Sequence, residues 1–245
     1  STDPKALTEA VRTALDVGYP LIDTAFVYGN EAVIGNVLHE YFSSGKLKRE
    51  DIFITTKLPF LVHRPAEIEA VVEKQLKDLQ IDYIDLYLIH VPCPCKPQPG
   101  GTPATGYKSL IENGQLVPDP VDHVDTWKAL EKLHKDGKLK AIGLSNFNQK
   151  QIQHIIDHAT VKPHNLQVET HIYWPQKELF DFCKKNGITF TSYGPIGSPG
   201  RKTFRPEGNW PEGEPMKDPL VLELAKKYNK TPAQVPAFIA SFANS

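Results

Sequence analysis

The chain has little of what most readily announces a function. Three cysteines among 245 residues (Cys93, Cys95 and Cys183) are too few for a disulfide framework, and the Cys-x-Cys pair has no second pair at zinc-site spacing. A reducing compartment, the cytoplasm, is the expectation. Charge of one sign is not in excess either: 28 Lys+Arg stand against 29 Asp+Glu, a net charge of −1, so nucleic acid is not an expected partner. The longest apolar run, Ile84 to Val91, is interrupted by Asp85 and falls far short of the roughly 20 residues that cross a bilayer. No membrane association is expected from it. The sequence contains no Gly-x-Gly-x-x-Gly after a strand, no Gly-x-x-x-x-Gly-Lys-Ser/Thr, no Gly-x-Ser-x-Gly and no His-Glu-x-x-His, which removes support for four common kinds of active site. The nine histidines show no paired ligand spacing, so no metal is expected.

What is present is alternation. At 40% hydrophobic residues the chain can bury a substantial core, and short apolar or β-branched runs alternate with longer amphipathic segments, the pattern of βα units on a parallel sheet. Six strands are predicted: 21–25, 52–57, 84–90, 141–145, 165–169 and 189–193. Each is nearly continuous in apolar or β-branched residues, as buried parallel strands are. Pro4, Pro65 and Pro175 sit near predicted helix starts, and Gly137 and Gly187 just past helix ends. The spans 91–120 and 194–219 hold 13 of the 21 prolines and 9 of the 16 glycines, so both are read as long loops. Each follows a predicted strand, where α/β folds place ligand-binding loops; the alternative is a pair of disordered insertions. Near the C-terminal end a helix opened by Pro232 would carry Pro236 in its interior, at a cost of about 3 kcal/mol, which points either to an altered segment or to a helix that starts at Pro236. Asn229-Lys230-Thr231 reads as a glycosylation sequon, unused in a cytosolic protein.

Polar side chains mark the C-terminal ends of successive strands, the position from which barrel enzymes draw catalytic groups. Asp23, Lys57 and His90 each occupy such an end, and Tyr28 follows Asp23 by five residues. An Asp, a Lys and a Tyr brought together make a usable proton donor. A tyrosine has a pKa of about 10, an adjacent ammonium favours the phenolate, and each unit of lowering corresponds to about 1.4 kcal/mol. Asp23 would keep a buried Lys57 charged, and a neutral His90 would hydrogen-bond a carbonyl oxygen and orient it. Taken singly, the Asp-Lys pair also fits a structural ion pair, and His90 a satisfied core histidine.

These residues and their surroundings resemble the aldo-keto reductase family. Ile22-Asp23-Thr24-Ala25 through Tyr28-Gly29-Asn30-Glu31, Ile54-Thr55-Thr56-Lys57-Leu58 and Leu86-Tyr87-Leu88-Ile89-His90 look like its tyrosine, lysine and histidine motifs. Gly143-Leu144-Ser145-Asn146-Phe147, Gln167-Val168-Glu169 and Ser192-Tyr193-Gly194-Pro195-Ile196-Gly197-Ser198 resemble its cofactor-binding stretches. The motifs run in the family's order from about residue 5 to residue 235.

The resemblance implies an α/β fold, a (β/α)8 TIM barrel in a single domain over 1–245, with the first and last strands expected to lie before Ser1 and beyond Ser245. It implies NADPH-dependent reduction of an aldehyde or ketone to an alcohol by a cytoplasmic monomer. Asp23, Tyr28, Lys57 and His90 match the family's catalytic positions. Ser145, Asn146 and Gln167 match residues that hydrogen-bond the nicotinamide amide, and Tyr193 matches the aromatic that stacks on its ring. Thr24 and the stretch Gly194, Pro195, Ile196 and Ser198 complete the implied NADPH/NADP contacts; the segment that grips the 2′-phosphate would lie beyond Ser245. Ser145-Asn146 also fits a simple helix cap, and Tyr193 a half-buried rim aromatic. Pro59 and Val91 stand where many members carry tryptophan, and Gly194 where a serine is usual. The glycine bears on one cofactor hydrogen bond, whereas Pro59 and Val91, together with Val27, imply a roomier, less aromatic pocket for an apolar carbonyl compound. The resemblance also covers crystallins and channel-associated subunits that bind nucleotide with little turnover, and a shortened chain that does not fold is a third reading.

Overall fold

A computed structural model describes residues 3–201, 208 and 213–242. Two compact units divide the chain, Ser1–His164 and Asn165–Ser245.

In the first unit, helices and strands alternate: α1 (Pro4–Asp16), β1 (Leu21–Asp23), α2 (Glu31–Ser43), β2 (Phe53–Leu58), α3 (Pro65–Leu79) and β3 (Ile84–Ile89). A short hairpin follows, β4 (Ile111–Glu112) and β5 (Gln115–Leu116), then α4 (His123–Lys135), β6 (Leu139–Ser145) and α5 (Gln149–His158). Strands β1, β2, β3 and β6 lie side by side and parallel, with Leu21 opposite Phe53, Thr55 opposite Leu86 and Ile84 opposite Leu139. The second unit holds β7 (Asn165–Glu169), α6 (Lys177–Asn186), β8 (Thr189–Tyr193), α7 (Pro219–Tyr228) and α8 (Gln234–Phe242), with β7 and β8 parallel. All six predicted strands are present, with ends shifted by up to two residues.

Local chemistry sets many of these boundaries. Pro4, Pro65 and Pro219 occupy the first helical position, where a missing N–H costs nothing, and the side chains of Asp3, Asp122 and Asp218 accept from the first turns of α1, α4 and α7. The Asp85 that interrupts the apolar run of β3 has a structural task. Its carboxylate accepts the Ile54 N–H of β2 at 2.8 Å and pairs with Arg49 at 2.6 Å, while Arg49 also donates to the carbonyls of Ile52 and Tyr83. Between the strands and helices of this unit lies an apolar layer that includes Ile54, Leu58, Ile89, Ile142 and Leu144 with Ile68, Val72, Leu76, Leu130 and Leu133. Fully burying a Leu or Ile side chain is worth about 1.5–3 kcal/mol. Trp127 is fully buried, and its indole N–H donates to the Val161 carbonyl at 2.9 Å. A smaller cluster of Val221, Ala225 and Val235 packs with Ile172 and Leu224 in the second unit.

Three expectations change. The span 91–120 is not wholly irregular: Asn113 and Gly114, with φ of 52° and 76°, make the two-residue turn of the β4–β5 hairpin, the conformation that Asn-Gly favours. Pro175 does not open α6, which starts two residues later after Gln176 in a left-handed conformation. Neither Pro232 nor Pro236 opens the last helix. Thr231 and Gln234 cap it reciprocally, the Gln234 N–H reaching the Thr231 hydroxyl and the Gln234 side chain accepting from the Thr231 N–H. Pro236 falls in the first turn of regular α8, and the helical bond it cannot make lies between the Val235-to-Thr231 and Ala237-to-Ala233 backbone bonds at 3.3 and 3.5 Å. In the second loop span, residues 202–207 and 209–212 lie outside the described residues. Asn229, the sequon asparagine, is the left-handed C-cap of α7.

One buried group ties stability to pH. His63, 2% exposed at the approach to α3, has no hydrogen-bond partner on either ring nitrogen among the described residues. Burial, helped by His123 and opposed by Asp119, pushes it down from the usual 6.5 to about 4. The unfolded chain takes up this proton as pH falls through 6.5, and the folded chain holds out until about 4. The stability His63 provides is thus full above pH 6.5 and is lost between 6.5 and 4, by roughly 3 kcal/mol over the whole window. Melting curves at pH 7 and pH 4.5 should show a large drop in Tm for the parent and a smaller one for His63→Leu. Equal drops would contradict this.

Candidate active site

The C-terminal ends of β1, β2 and β3 are neighbours, so the side chains they carry meet. Asp23 is the last residue of β1, Lys57 the fifth of β2, and His90 follows β3 directly. The Lys57 ammonium, 1% exposed, donates to the Asp23 carboxylate and to the Thr24 carbonyl at 2.9 Å. Tyr28 ends a single 3-10 turn, Phe26–Tyr28. That turn is held at its flanks, because the Thr24 hydroxyl donates to the Asn30 side-chain oxygen at 2.6 Å. The Tyr28 ring has the Lys57 ammonium 5.5 Å from its centroid and meets the His90 ring edge-on at 5.8 Å and 81°. Tyr28 is 49% exposed, so its phenol can be reached.

The electrostatics of the group follow from its burial. Desolvation pushes Lys57 below the usual lysine range, and Asp23 and Glu31 push back. The expected offset by Asp23 is therefore partial: the two carboxylates together do not restore the ordinary value, because the ammonium is almost wholly out of water. His90 is pushed down to about 4, first by burial and then by the Lys57 charge. It is neutral at neutral pH, able to donate from one ring nitrogen.

Two of the other expected residues adjoin this group. Ser145 ends β6, and Asn146 follows it in a left-handed conformation with φ of 64°. The Asn146 amide donates to the His90 carbonyl at 2.9 Å and to the Ser145 hydroxyl at 3.1 Å. Neither caps α5. That helix is capped by Asn148, whose side chain accepts the Gln151 N–H while Gln151 accepts the Asn148 N–H.

In the second unit, Gln167 is buried on β7 and Tyr193 ends β8 half exposed. The Thr170 N–H donates to the Tyr193 carbonyl at 3.1 Å, and burial raises the Tyr193 phenol above its usual value. Gly194 takes φ of 63°, and a Cβ there would sit 3.0 Å from the Ser198 hydroxyl, so the glycine that departs from the usual serine suits this backbone. The turn from Gly194 to Gly197 is closed by a 2.9 Å backbone bond, with Pro195 and Ile196 at its middle and Ser198 after it. Arg201 pairs with Glu169, a contact the sequence reading did not contain.

The three residues expected to contact substrate separate. Val27 and Pro59 border a cavity of about 500 Å3 with Phe26, Phe60, Leu61 and Tyr107; neither Val91 nor any of Asp23, Tyr28, Lys57 and His90 borders it. Sequence reading also missed the polar residues behind the group. Glu31, Thr56, Gln75 and Tyr87 form one buried network. Its signal was Gln75, which occupies an apolar-stripe position of α3, seven residues after Ile68 and four before Leu79.

The donor set suits a carboxamide-bearing nucleotide. A carboxamide needs both donors and acceptors, and within the first unit Ser145 and Asn146 offer both. Among the described residues, no helix is long and apolar enough to cross a membrane.

Comparison with known proteins agrees with the fold and with the motifs. The model of the Aldo/keto reductase family matches residues 1–237. The chain is 46% identical over 235 residues to Aldo-keto reductase family 1 member A1 of Xenopus tropicalis, covering 95% of this chain and 68% of that protein. It is 40% identical over 235 residues to the human protein of the same name, covering 96% and 69%. Among solved structures, an aldose reductase from Schistosoma japonicum is similar at a TM-score of 0.82 with 43% identity, over 95% of this chain and 70% of that one. The parallel βα architecture is thus that of the α/β, (β/α)8 fold.

Proposed function

Because the chain belongs to the Aldo/keto reductase family and is an oxidoreductase acting on carbonyl groups, we propose that it reduces apolar aldehydes or ketones to alcohols with NADPH. The observation that carries this reading is the half-exposed Tyr28 phenol set beside a buried ammonium and a neutral imidazole. The chemistry that NADPH would supply when bound is a hydride for the carbonyl carbon. Tyr28 protonates the carbonyl oxygen as negative charge develops there. Lys57, held by Asp23 and the Thr24 carbonyl, stabilises the phenolate that Tyr28 leaves behind. His90, neutral above about pH 5, hydrogen-bonds the same oxygen and orients the carbonyl toward the phenol.

Ser145, Asn146 and Gln167 are the residues we assign to the nicotinamide carboxamide, with Thr24 nearby, and Tyr193 to the face of its ring. Gly194, Pro195, Ile196 and Ser198 are assigned to the pyrophosphate, where backbone N–H groups suit phosphate oxygens. Val27 and Pro59, which border one cavity, make the substrate preference apolar, and Val91, next to His90, is assigned to the substrate separately. We take the protein to act as a single-domain cytoplasmic monomer on a small-molecule substrate.

The test is NADPH consumption with aliphatic, aromatic and steroid-like carbonyl compounds beside charged sugars. Apolar aldehydes should be turned over best. Preference for charged sugars would overturn the pocket assignment; tight NADPH binding with no reduction of any carbonyl would overturn the enzymatic reading.

A further inference from the structure

The four polar residues at the mouth of β1 to β3 rest on a second, buried polar group. Glu31, 4% exposed, is the first residue of α2 and stands three positions after Tyr28. Its Oε1 accepts the Thr56 hydroxyl at 2.6 Å and the Gln75 side-chain amide at 2.8 Å. The Gln75 amide also lies 2.9 Å from the Thr56 hydroxyl and 3.4 Å from the Lys57 carbonyl, and its oxygen accepts the buried Tyr87 hydroxyl at 2.7 Å. One carboxylate thereby joins the start of α2, strand β2, helix α3 and strand β3. Thr56 and Lys57 are successive residues of β2, so their side chains point to opposite faces. On one face Lys57 meets Asp23; on the other, Thr56 meets Glu31.

Hydrogen bonding alone does not call for a glutamate here. A carboxamide oxygen has two lone pairs and would accept both donors. What a carboxylate adds is charge, and the cation that needs it is one residue along the strand. Lys57 is faced by Asp23 from β1, Tyr28 from the 3-10 turn and His90 from the end of β3, and of these only Asp23 opposes its charge while itself standing partly in water. Glu31 is faced by Thr56 from β2 and by Gln75, Lys74 and Asp78 from α3. Lys74 pairs with Asp78, which leaves the net charge of that couple near zero.

We propose that Glu31 is a positioning residue: its buried carboxylate fixes the Tyr28 turn against the Lys57 strand and, with Asp23, supplies the negative charge that keeps Lys57 an ammonium. This rests on the roles given to Tyr28 and Lys57 above, and it adds to them a reason for a charged side chain outside the group that meets the carbonyl. Burial pushes the Glu31 carboxyl up, while the Thr56 and Gln75 bonds hold it down; its charge acts on Lys57 in the direction the proposal requires.

The test is the titration of the Lys57 ammonium by NMR in 15N-lysine-labelled full chain, its signal assigned with Lys57→Arg. Glu31→Gln should lower the Lys57 midpoint by about half a pH unit or more, because removing a negative charge lowers the pKa of every acid near it. The alkaline limb of the carbonyl-reduction pH profile should move the same way. Glu31→Asp, which keeps the carboxylate, should restore most of the midpoint. Thr56→Val, which removes the tie but not the charge, should lower Tm and leave the midpoint in place. If Glu31→Gln does not fold, Glu31→Leu takes its place, since Thr56 and Gln75 still pair with each other. A Lys57 midpoint unchanged in the neutral variant would overturn the proposal. A parent that reduces no carbonyl would overturn the enzymatic reading instead, and the NMR titration would still decide the part played by Glu31.

Discussion

Tyr28→Phe should lower kcat/KM for aldehyde reduction by about 10²- to 10⁴-fold, the range that a positioned general acid contributes. The substitution removes one oxygen atom and little else. The ring stays to meet His90 edge-on, Lys57 keeps its bonds to Asp23 and the Thr24 carbonyl, and the Thr24–Asn30 bond still holds the turn. Tm should therefore remain within about a degree of the parent, as for most substitutions of half-exposed side chains away from structural features. NADPH affinity, followed by fluorescence, should also be retained, since none of the residues assigned to the cofactor is changed. Turnover within twofold of the parent would show that the proton comes from elsewhere.

Gly35→Ala should destabilise the fold by about 3 kcal/mol or more, the upper range for forcing atoms into a packed interior. The usual expectation has the opposite sign: alanine in a helix interior is favoured over glycine by roughly 0.5–1 kcal/mol. Here helices α2 and α3 approach so closely that a Cβ on Gly35 would lie 2.0 Å from the Asp78 carbonyl oxygen and 2.7 Å from the Leu79 carbonyl carbon. Both are backbone atoms and cannot swing aside, so α3 would have to move. Because α3 carries Gln75 and α2 begins with Glu31, such a shift would also disturb the network behind Lys57. Tm should fall by roughly 6–12 °C, at about 2–4 °C per kcal/mol for a chain of this size. An unchanged or raised Tm would mean that the two helices separate without loss.

The strands and the polar side chains at their ends were legible in the sequence because each is written locally. Parallel strands buried on both faces read as apolar runs, and Asp23, Lys57 and His90 stand at or within one residue of the ends of such runs. Proline and glycine located most helix ends for the same reason, since their effects do not depend on distant residues. What the sequence did not show depends on pairs far apart along the chain. Gly35 reads as a weak point in a helix until Asp78 and Leu79 are placed against it. Glu31 reads as an ordinary first-turn acid until Thr56 and Gln75 close around it. Arg201 and Glu169 are 32 residues apart, and nothing local to either announces the pair. The Asn113-Gly114 hairpin was readable and was lost in a proline-rich span, whose composition outweighed a two-residue signal.

The central claim is chemical: a carbonyl compound is reduced, with its oxygen protonated by Tyr28. The most direct test measures alcohol formed against NADPH oxidised, with an aromatic aldehyde, in the parent and in Tyr28→Phe. The account predicts one alcohol per NADPH in the parent and a loss of both in the variant. NADPH bound by both proteins with no alcohol formed by either would contradict it and leave a nucleotide-binding protein that does not reduce carbonyls.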